Sequence, residues 1–293
     1  GEAAEGMICS QAGIPVKAAS KTFLDNYQAK FNTAPILYAP FTYDAANLLI
    51  EAMKKAEASG NRHFSHFGPE ANHFDKIEET FRTYGETGMC KRRYYVHSEE
   101  EAEKHNSHFK LNDLKPGTFT PWEDIEAKTD LLFYEGLHGA VKTEEHDVAK
   151  YPDLLIGVAP SINLEWIQKL HRDRRTRGYS TEAVVDTILR RMPDYVNYIC
   201  PQFTHTHVNF QRVPMVDTSN PFIARDVPTP DESFVVIRFR YPKGVDFPYF
   251  LNMIPNSFMS RANTLVVPGG KMSHAMEIIL APIMHDMIEK KKK

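Results

Sequence analysis

Leu131-Leu132-Phe133-Tyr134-Glu135-Gly136-Leu137-His138-Gly139 reads as an apolar strand, 131–135, that ends in a carboxylate and breaks at a glycine. Further along, Lys169-Leu170-His171-Arg172-Asp173-Arg174-Arg175-Thr176-Arg177-Gly178 reads as a cationic helix stopped by a second glycine. A carboxylate at the C-terminal edge of a sheet suits a magnesium ion, and guanidinium groups fixed on a helix neutralise phosphate oxygens. Together the two runs point to phosphoryl transfer.

Working outward, further apolar strands are expected at 154–158, 234–240 and 264–267, and helices at 75–84, 163–175, 180–193 and 271–289. Strands separated by helices predict an α/β layer fold with a mainly parallel or mixed sheet and flanking helices. Residues 92–97 alternate like a strand, and 98–129, punctuated by Pro116-Gly117 and Pro121, read as a long polar surface excursion. Nearer the N-terminus, helices are expected at 21–33 and 44–58 with a short strand at 36–39 between them. That strand–turn–helix imitates a phosphate-binding loop without its chemistry. No glycine lets the backbone approach an anion, and Asp44 as N-cap would occupy the helix N–H groups and repel phosphate.

The 293 residues allow one large or two modest domains, and 42% hydrophobic with 25% charged content is ordinary for a globular chain. A net charge of −3 argues against nucleic acid or an anionic membrane as partner. No apolar run is long enough to span a bilayer. Cys9, Cys90 and Cys200 fit neither a disulfide framework nor a Cys-x-x-Cys metal site, and the simplest setting is a reducing cytoplasm. Gly1 in place of an initiator methionine marks a fragment, a processed product or a reading frame without its start. The closing Lys290-Lys291-Lys292-Lys293 reads as a solvated helix end.

Among candidate site residues, Glu135 would emerge at the sheet edge as a magnesium ligand or, more plainly, cap a turn. Lys169, Arg172 and Arg175 share one helix face, with Arg177 at the helix end; the alternative is a solvated basic face stabilised by Asp173. Tyr95 and His97 lie on one face of their strand. Arg190, Arg191, Arg238 and Arg261 would by themselves be salt-bridge formers, and His138 a turn residue. His63-x-x-His66 and His205-x-His207 have spacings a metal can use, but no third ligand stands near either in sequence.

Both opening runs resemble bacterial-type phosphoribulokinases. So do His63-Phe64-Ser65-His66-Phe67, Tyr84-Gly85-Glu86-Thr87-Gly88, Phe119-Thr120-Pro121-Trp122, Ile162-Asn163-Leu164-Glu165-Trp166, Asn209-Phe210-Gln211-Arg212-Val213-Pro214 and Val216-Asp217-Thr218-Ser219-Asn220-Pro221-Phe222-Ile223-Ala224-Arg225. The resemblance runs from about Gly60 to about Glu289. It implies a kinase-like mixed sheet and transfer of a phosphoryl group from MgATP to D-ribulose 5-phosphate, the step that makes the carbon dioxide acceptor of the Calvin cycle. It further implies Glu135 as magnesium ligand, Lys169 and Arg172 as catalytic cations, and Tyr95, His97 and Arg177 at the sugar phosphate. Arg190, Arg191, Arg238 and Arg261 would serve effector response and subunit contacts, in a homo-oligomer with an NADH-type effector.

The family's phosphate loop, Gly-x-x-x-x-Gly-Lys-Ser/Thr or a close variant, is not found in the 293 residues. Its general-base aspartate is expected to be missing with it, because residues 1–58 stand where that segment belongs. Those residues, including Phe41-Thr42-Tyr43-Asp44-Ala45-Ala46-Asn47-Leu48-Leu49-Ile50-Glu51-Ala52-Met53, resemble the C-terminal part of periplasmic binding proteins for branched-chain amino acids. Glu5, at the place such proteins hold a ligand ammonium, is expected to be non-functional because the rest of that pocket is absent. The expectation is therefore a fusion of a 1–58 fragment with a 59–293 kinase-like domain lacking the loop strand and helix, impaired or inactive. The alternatives are a non-catalytic regulatory or artefactual product and, more weakly, a solute-binding fragment.

Overall fold

The structure, a computed structural model, describes residues 67–96, 98–125 and 131–291, together with Ala29 and Ser65. The expectations for 21–33, 36–39 and 44–58, and for Glu5, His63, His66 and His97, lie outside these residues. In chain order the described helices and strands are α1 (Phe74–Thr87), β1 (Cys90–Arg92), α2 (Glu99–Phe109), β2 (Glu123–Ile125), β3 (Ile156–Pro160), α3 (Ile162–Arg177), α4 (Thr181–Asp194), β4 (Val208–Pro214), β5 (Ser233–Phe239), α5 (Phe247–Met253), β6 (Phe258–Arg261), β7 (Thr264–Pro268) and α6 (Met272–Lys291). They divide between two compact units, Gly1–Asn61 with Lys91–Ile125 and Arg62–Cys90 with Glu126–Lys293.

The larger unit is built on a five-stranded mixed sheet in the order β3-β4-β5-β7-β6. β3 and β4 are parallel, joined by a crossover through α3 and α4, while β5, β7 and β6 continue antiparallel. Val235, Ile237 and Phe239 alternate on one face of β5 and are buried. Ile237 and Phe239 lie opposite Phe210 and Val208, and Leu265 and Val267 extend the same face along β7. Ala275 and Ile279 of α6 complete this core, and removing Ile279 from water contributes about 1.5–3 kcal/mol. At β3, a Cβ on Gly157 would stand 2.1 Å from the Asn209 Oδ1. That amide is fixed by Thr206 at 2.6 Å and by donating to the Phe203 carbonyl at 3.1 Å, so only glycine fits.

The four expected helices of this unit form as α1, α3, α4 and α6, and the strands at 154–158, 234–240 and 264–267 form as β3, β5 and β7 with small shifts of boundary. Segment 131–135 differs, because it joins no ladder among the described residues. Leu132 and Tyr134 pack on a helix instead, while Phe133 is exposed. Leu132 adjoins the cluster of Phe74, Phe81, Val141 and Val148, and the Tyr134 ring meets Phe81 edge-on at 5.1 Å. β4, β6 and α5 come in addition to the expected elements. α4 carries Pro193 in its last turn and passes into a π-helical turn, Tyr195–Ile199, because proline supplies no N–H to the preceding ladder.

In the smaller unit β1 and β2 form a two-stranded sheet. Of the strand expected over 92–97, only Arg92 falls in β1 (Cys90–Arg92), with an isolated bridge from Tyr95 to Phe119 beyond it. The polar excursion expected over 98–129 contains α2 and β2. Helix α2 starts because the Ser98 hydroxyl accepts the Glu101 N–H at 3.2 Å and three glutamates face the positive end of the dipole. No helix among the described residues is long and apolar enough to cross a membrane.

Candidate active site

Because β3 and β4 run parallel, their C-terminal ends, Pro160 and Pro214, open on the same edge of the sheet. From the first, α3 departs; from the second, a long loop returns to β5. The loop is clasped onto α3 at three levels. Asn163 donates to the Thr218 carbonyl at 2.9 Å, the Trp166 and Phe222 rings lie 5.4 Å apart, and the His171 Nε2 meets the Ala224 carbonyl at 3.0 Å. Arg212 holds the loop's return by donating to Ser233 Oγ at 3.1 Å and to the Pro228 carbonyl. Between helix and loop lies a cleft of about 620 Å³, lined by Gln168, His171, Arg172 and Arg175 on one side and Asp226, Val227, Thr229 and Glu232 on the other. Ligands of open α/β sheets bind at this kind of edge.

Next to the cleft, α3 carries a charge cluster centred on Asp173. This carboxylate is 3% exposed and accepts from Lys169 Nζ at 2.5 Å and from Arg172 Nε at 3.1 Å. Arg191, buried on α4, lies near enough for its charge to act on Lys169. Burial pushes the Lys169 ammonium below its ordinary value; Asp173 opposes that shift, while Arg172 and Arg191 add to it. Leu170, Val184 and Ile188 pack α3 against α4 and hold the cluster's two helices in register. Cations fixed in this way need little reorganisation when they meet phosphoryl oxygens.

Of the sequence-derived residues, Lys169, Arg172 and Arg191 are thus brought together, and Arg175 lines the cleft beside Arg172. Arg177 ends α3, with its side chain outside the described residues. Glu135 is an exposed carboxylate beyond the Leu132 and Tyr134 anchors. Arg190 lies on α4, 3.8 Å from Asp186. Arg238 and Arg261 are exposed and each pairs in register with Thr264, on either side of β7. Tyr95 belongs to the smaller unit. His138 is buried, its Nε2–H donating to the Phe67 carbonyl at 3.0 Å, and burial lowers its pKa. The His207 Nδ1 accepts the Leu155 N–H at 2.9 Å.

Asp173, read from the sequence as an accessory to a solvated face, is instead the buried centre of this cluster. Its spacing of four from Lys169 was the available signal. Its burial was not readable from the sequence of α3.

A mixed sheet with a cationic helix beside a cleft at its C-terminal edge is compatible with nucleotide-dependent phosphoryl transfer. The model of the "Phosphoribulokinase / Uridine kinase family" matches residues 22–219, and the chain belongs to that family. By family it is an ATP-dependent sugar-phosphate kinase of the phosphoribulokinase kind. The chain is 62% identical over 251 residues to the chromosomal phosphoribulokinase of Cupriavidus necator, covering 86% of this chain and 83% of that protein. It is 60% identical to the phosphoribulokinase of Xanthobacter flavus, covering 77% of this chain and 75% of that one. A solved phosphoribulokinase from Rhodobacter spheroides superposes with a TM-score of 0.72 at 53% identity, covering 83% of this chain and 82% of the other. The family match begins at residue 22, upstream of the position near Gly60 at which the sequence resemblance was read.

Proposed function

We propose that the chain's family activity is directed at the 1-hydroxyl of D-ribulose 5-phosphate, with MgATP as donor, and that these 293 residues carry it in impaired form. The observation that carries the first half is the Asp173 cluster. Lys169 and Arg172 are held by one buried carboxylate at the edge where a phosphoryl group would be passed. Arg177 would add charge at the helix end, and Tyr95 with His97 would hold the sugar phosphate. Magnesium asks for one or two carboxylates beside substrate phosphates, and we assign the exposed Glu135 as one of them. The triphosphate of ATP is less well served, because a Gly-x-x-x-x-Gly-Lys-Ser/Thr cradle is missing from the sequence. Arg190, Arg238 and Arg261 would serve an NADH-type effector or a neighbouring subunit of a homo-oligomer, whereas the buried Arg191 lies close enough to Lys169 for their like charges to repel. The setting we assign is the cytoplasm.

Calorimetry on the purified chain tests this directly. Ribulose 5-phosphate should bind, Arg172→Ala should weaken it, and ATP should bind poorly. Tight ATP binding without ribulose 5-phosphate binding would overturn the assignment. A coupled ATP-consumption assay should show no turnover, and rates within about a hundredfold of the 1–100 s⁻¹ usual for kinases would refute the impairment.

The second reading is a non-catalytic fusion, divided near residues 58 and 59, and it rests on the binding-protein-like string around Tyr43-Asp44-Ala45. Sequencing the locus across the codons for residues 50–62 decides it. A neighbouring continuous kinase gene with its own phosphate loop would favour it.

A further inference from the structure

The string Phe119-Thr120-Pro121-Trp122, which the kinase reading leaves without a task, encloses a cation. The Arg93 guanidinium lies 4.1 Å from the Phe119 ring centroid and 4.7 Å from that of Trp122. Phe119 also meets the Tyr95 ring in a T-shaped contact, with centroids 5.1 Å apart, and the two residues form an antiparallel bridge. The backbone around them is closely tied. Val96 N–H donates to the Thr118 carbonyl, Gly117 N–H to the Val96 carbonyl and Thr120 N–H to the Tyr94 carbonyl, each at 2.8 Å. Gly117 has φ of 89°, and a Cβ there would touch the Tyr95 phenol oxygen at 3.7 Å, so that oxygen lies over the turn.

Core packing does not explain the stack, because Phe119 is 45% and Trp122 39% exposed. What holds it is the attraction of a flat cation to two ring faces, which a lysine ammonium cannot reproduce in the same geometry. Through Phe119, the stack fixes the plane of the Tyr95 ring. We infer that Arg93, with Phe119 and Trp122, is a positioning group that orients Tyr95 toward ribulose 5-phosphate. This rests on the assignment of Tyr95 to the sugar-phosphate pocket made above.

The test is a double-mutant cycle read by calorimetry of ribulose 5-phosphate on the full chain, with the melting temperature of each variant recorded. Tyr95→Phe should raise Kd about tenfold, and Arg93→Lys about 3- to 10-fold. Combining them should add less than about twofold to Tyr95→Phe alone, because Arg93 acts through the phenol. Trp122→Leu should behave like Arg93→Lys, while Trp122→Phe, which keeps a ring face, should bind normally. That pair decides the matter should Arg93→Lys fail to fold. If Tyr95→Phe weakens binding but Arg93→Lys and Trp122→Leu do not, or act additively with it, the positioning role is overturned and the pocket assignment stands. If Tyr95→Phe changes nothing while Arg93→Lys weakens binding, the pocket assignment falls and the positioning role falls with it. No ribulose 5-phosphate binding by the parent chain overturns both.

Discussion

Asp173 holds two cations from a position almost closed to water, so it should be less replaceable than either of them. Asp173→Asn removes the charge that offsets Lys169 and Arg172. We expect a loss of about 1–3 kcal/mol in stability and a larger proportional loss in ribulose 5-phosphate affinity, checked by denaturant melts and calorimetry on one preparation. His138 supplies a pH-dependent contribution of the opposite chemistry. Burial depresses its pKa, so the folded chain keeps the ring neutral while the unfolded chain takes up a proton near the ordinary value of 6.5. Stability is therefore fully present above 6.5 and declines as pH falls from there toward the lower folded value. Melts between about pH 7.5 and 5 should show this decline, and His138→Asn should flatten it. At this scale the sequence was informative about residue type and spacing. Lys169 and Arg172 stand out from their three-residue step, whereas the burial of Asp173, Arg191 and His138 depends on partners distant in the chain.

Helix α4 was readable from apolar residues at helical spacing behind the Ser180 cap, and α3 from its stop at Gly178. Helix α2 was not, since eleven residues with little apolar content offer only the Ser98 cap and the acidic first turn as signals. That cap should carry much of the helix's stability. Ser98→Ala is expected to cost about 1 kcal/mol, read as a lower melting temperature and faster amide exchange over Glu99–Phe109. A companion change at the exposed Lys104 should do neither. Segment 131–135 shows the limit of pattern reading in the other direction. A short apolar run is equally suited to a ladder and to a helix surface, and Leu132 and Tyr134 take the second course.

For the molecule as a whole, the β3 edge of the sheet matters most. Among the described strands β3 is terminal, and Val158 on it is 52% exposed. An edge of this kind recruits other chains, and residues 34–39, bracketed by Pro35 and Pro40, make a poor covering strand. We expect a broad melting transition with strong binding of a hydrophobic dye when the chain is expressed alone. A sharp melt from a monodisperse oligomer would show that the edge is covered and would reopen the question of turnover. The strand order has a consequence in time as well. β4, β5, β7 and β6 pair with near neighbours in sequence, but β3 reaches β4 only across two helices. During synthesis Ile156–Pro160 therefore leaves the ribosome well before its partner exists, and must wait without a ladder while Val208–Pro214 is made. Pulse-labelled refolding should protect the amides of β5 and β7 first and those of β3 last, which makes the interval before β3 docks the moment when a newborn chain is most open to chaperones and to its own copies.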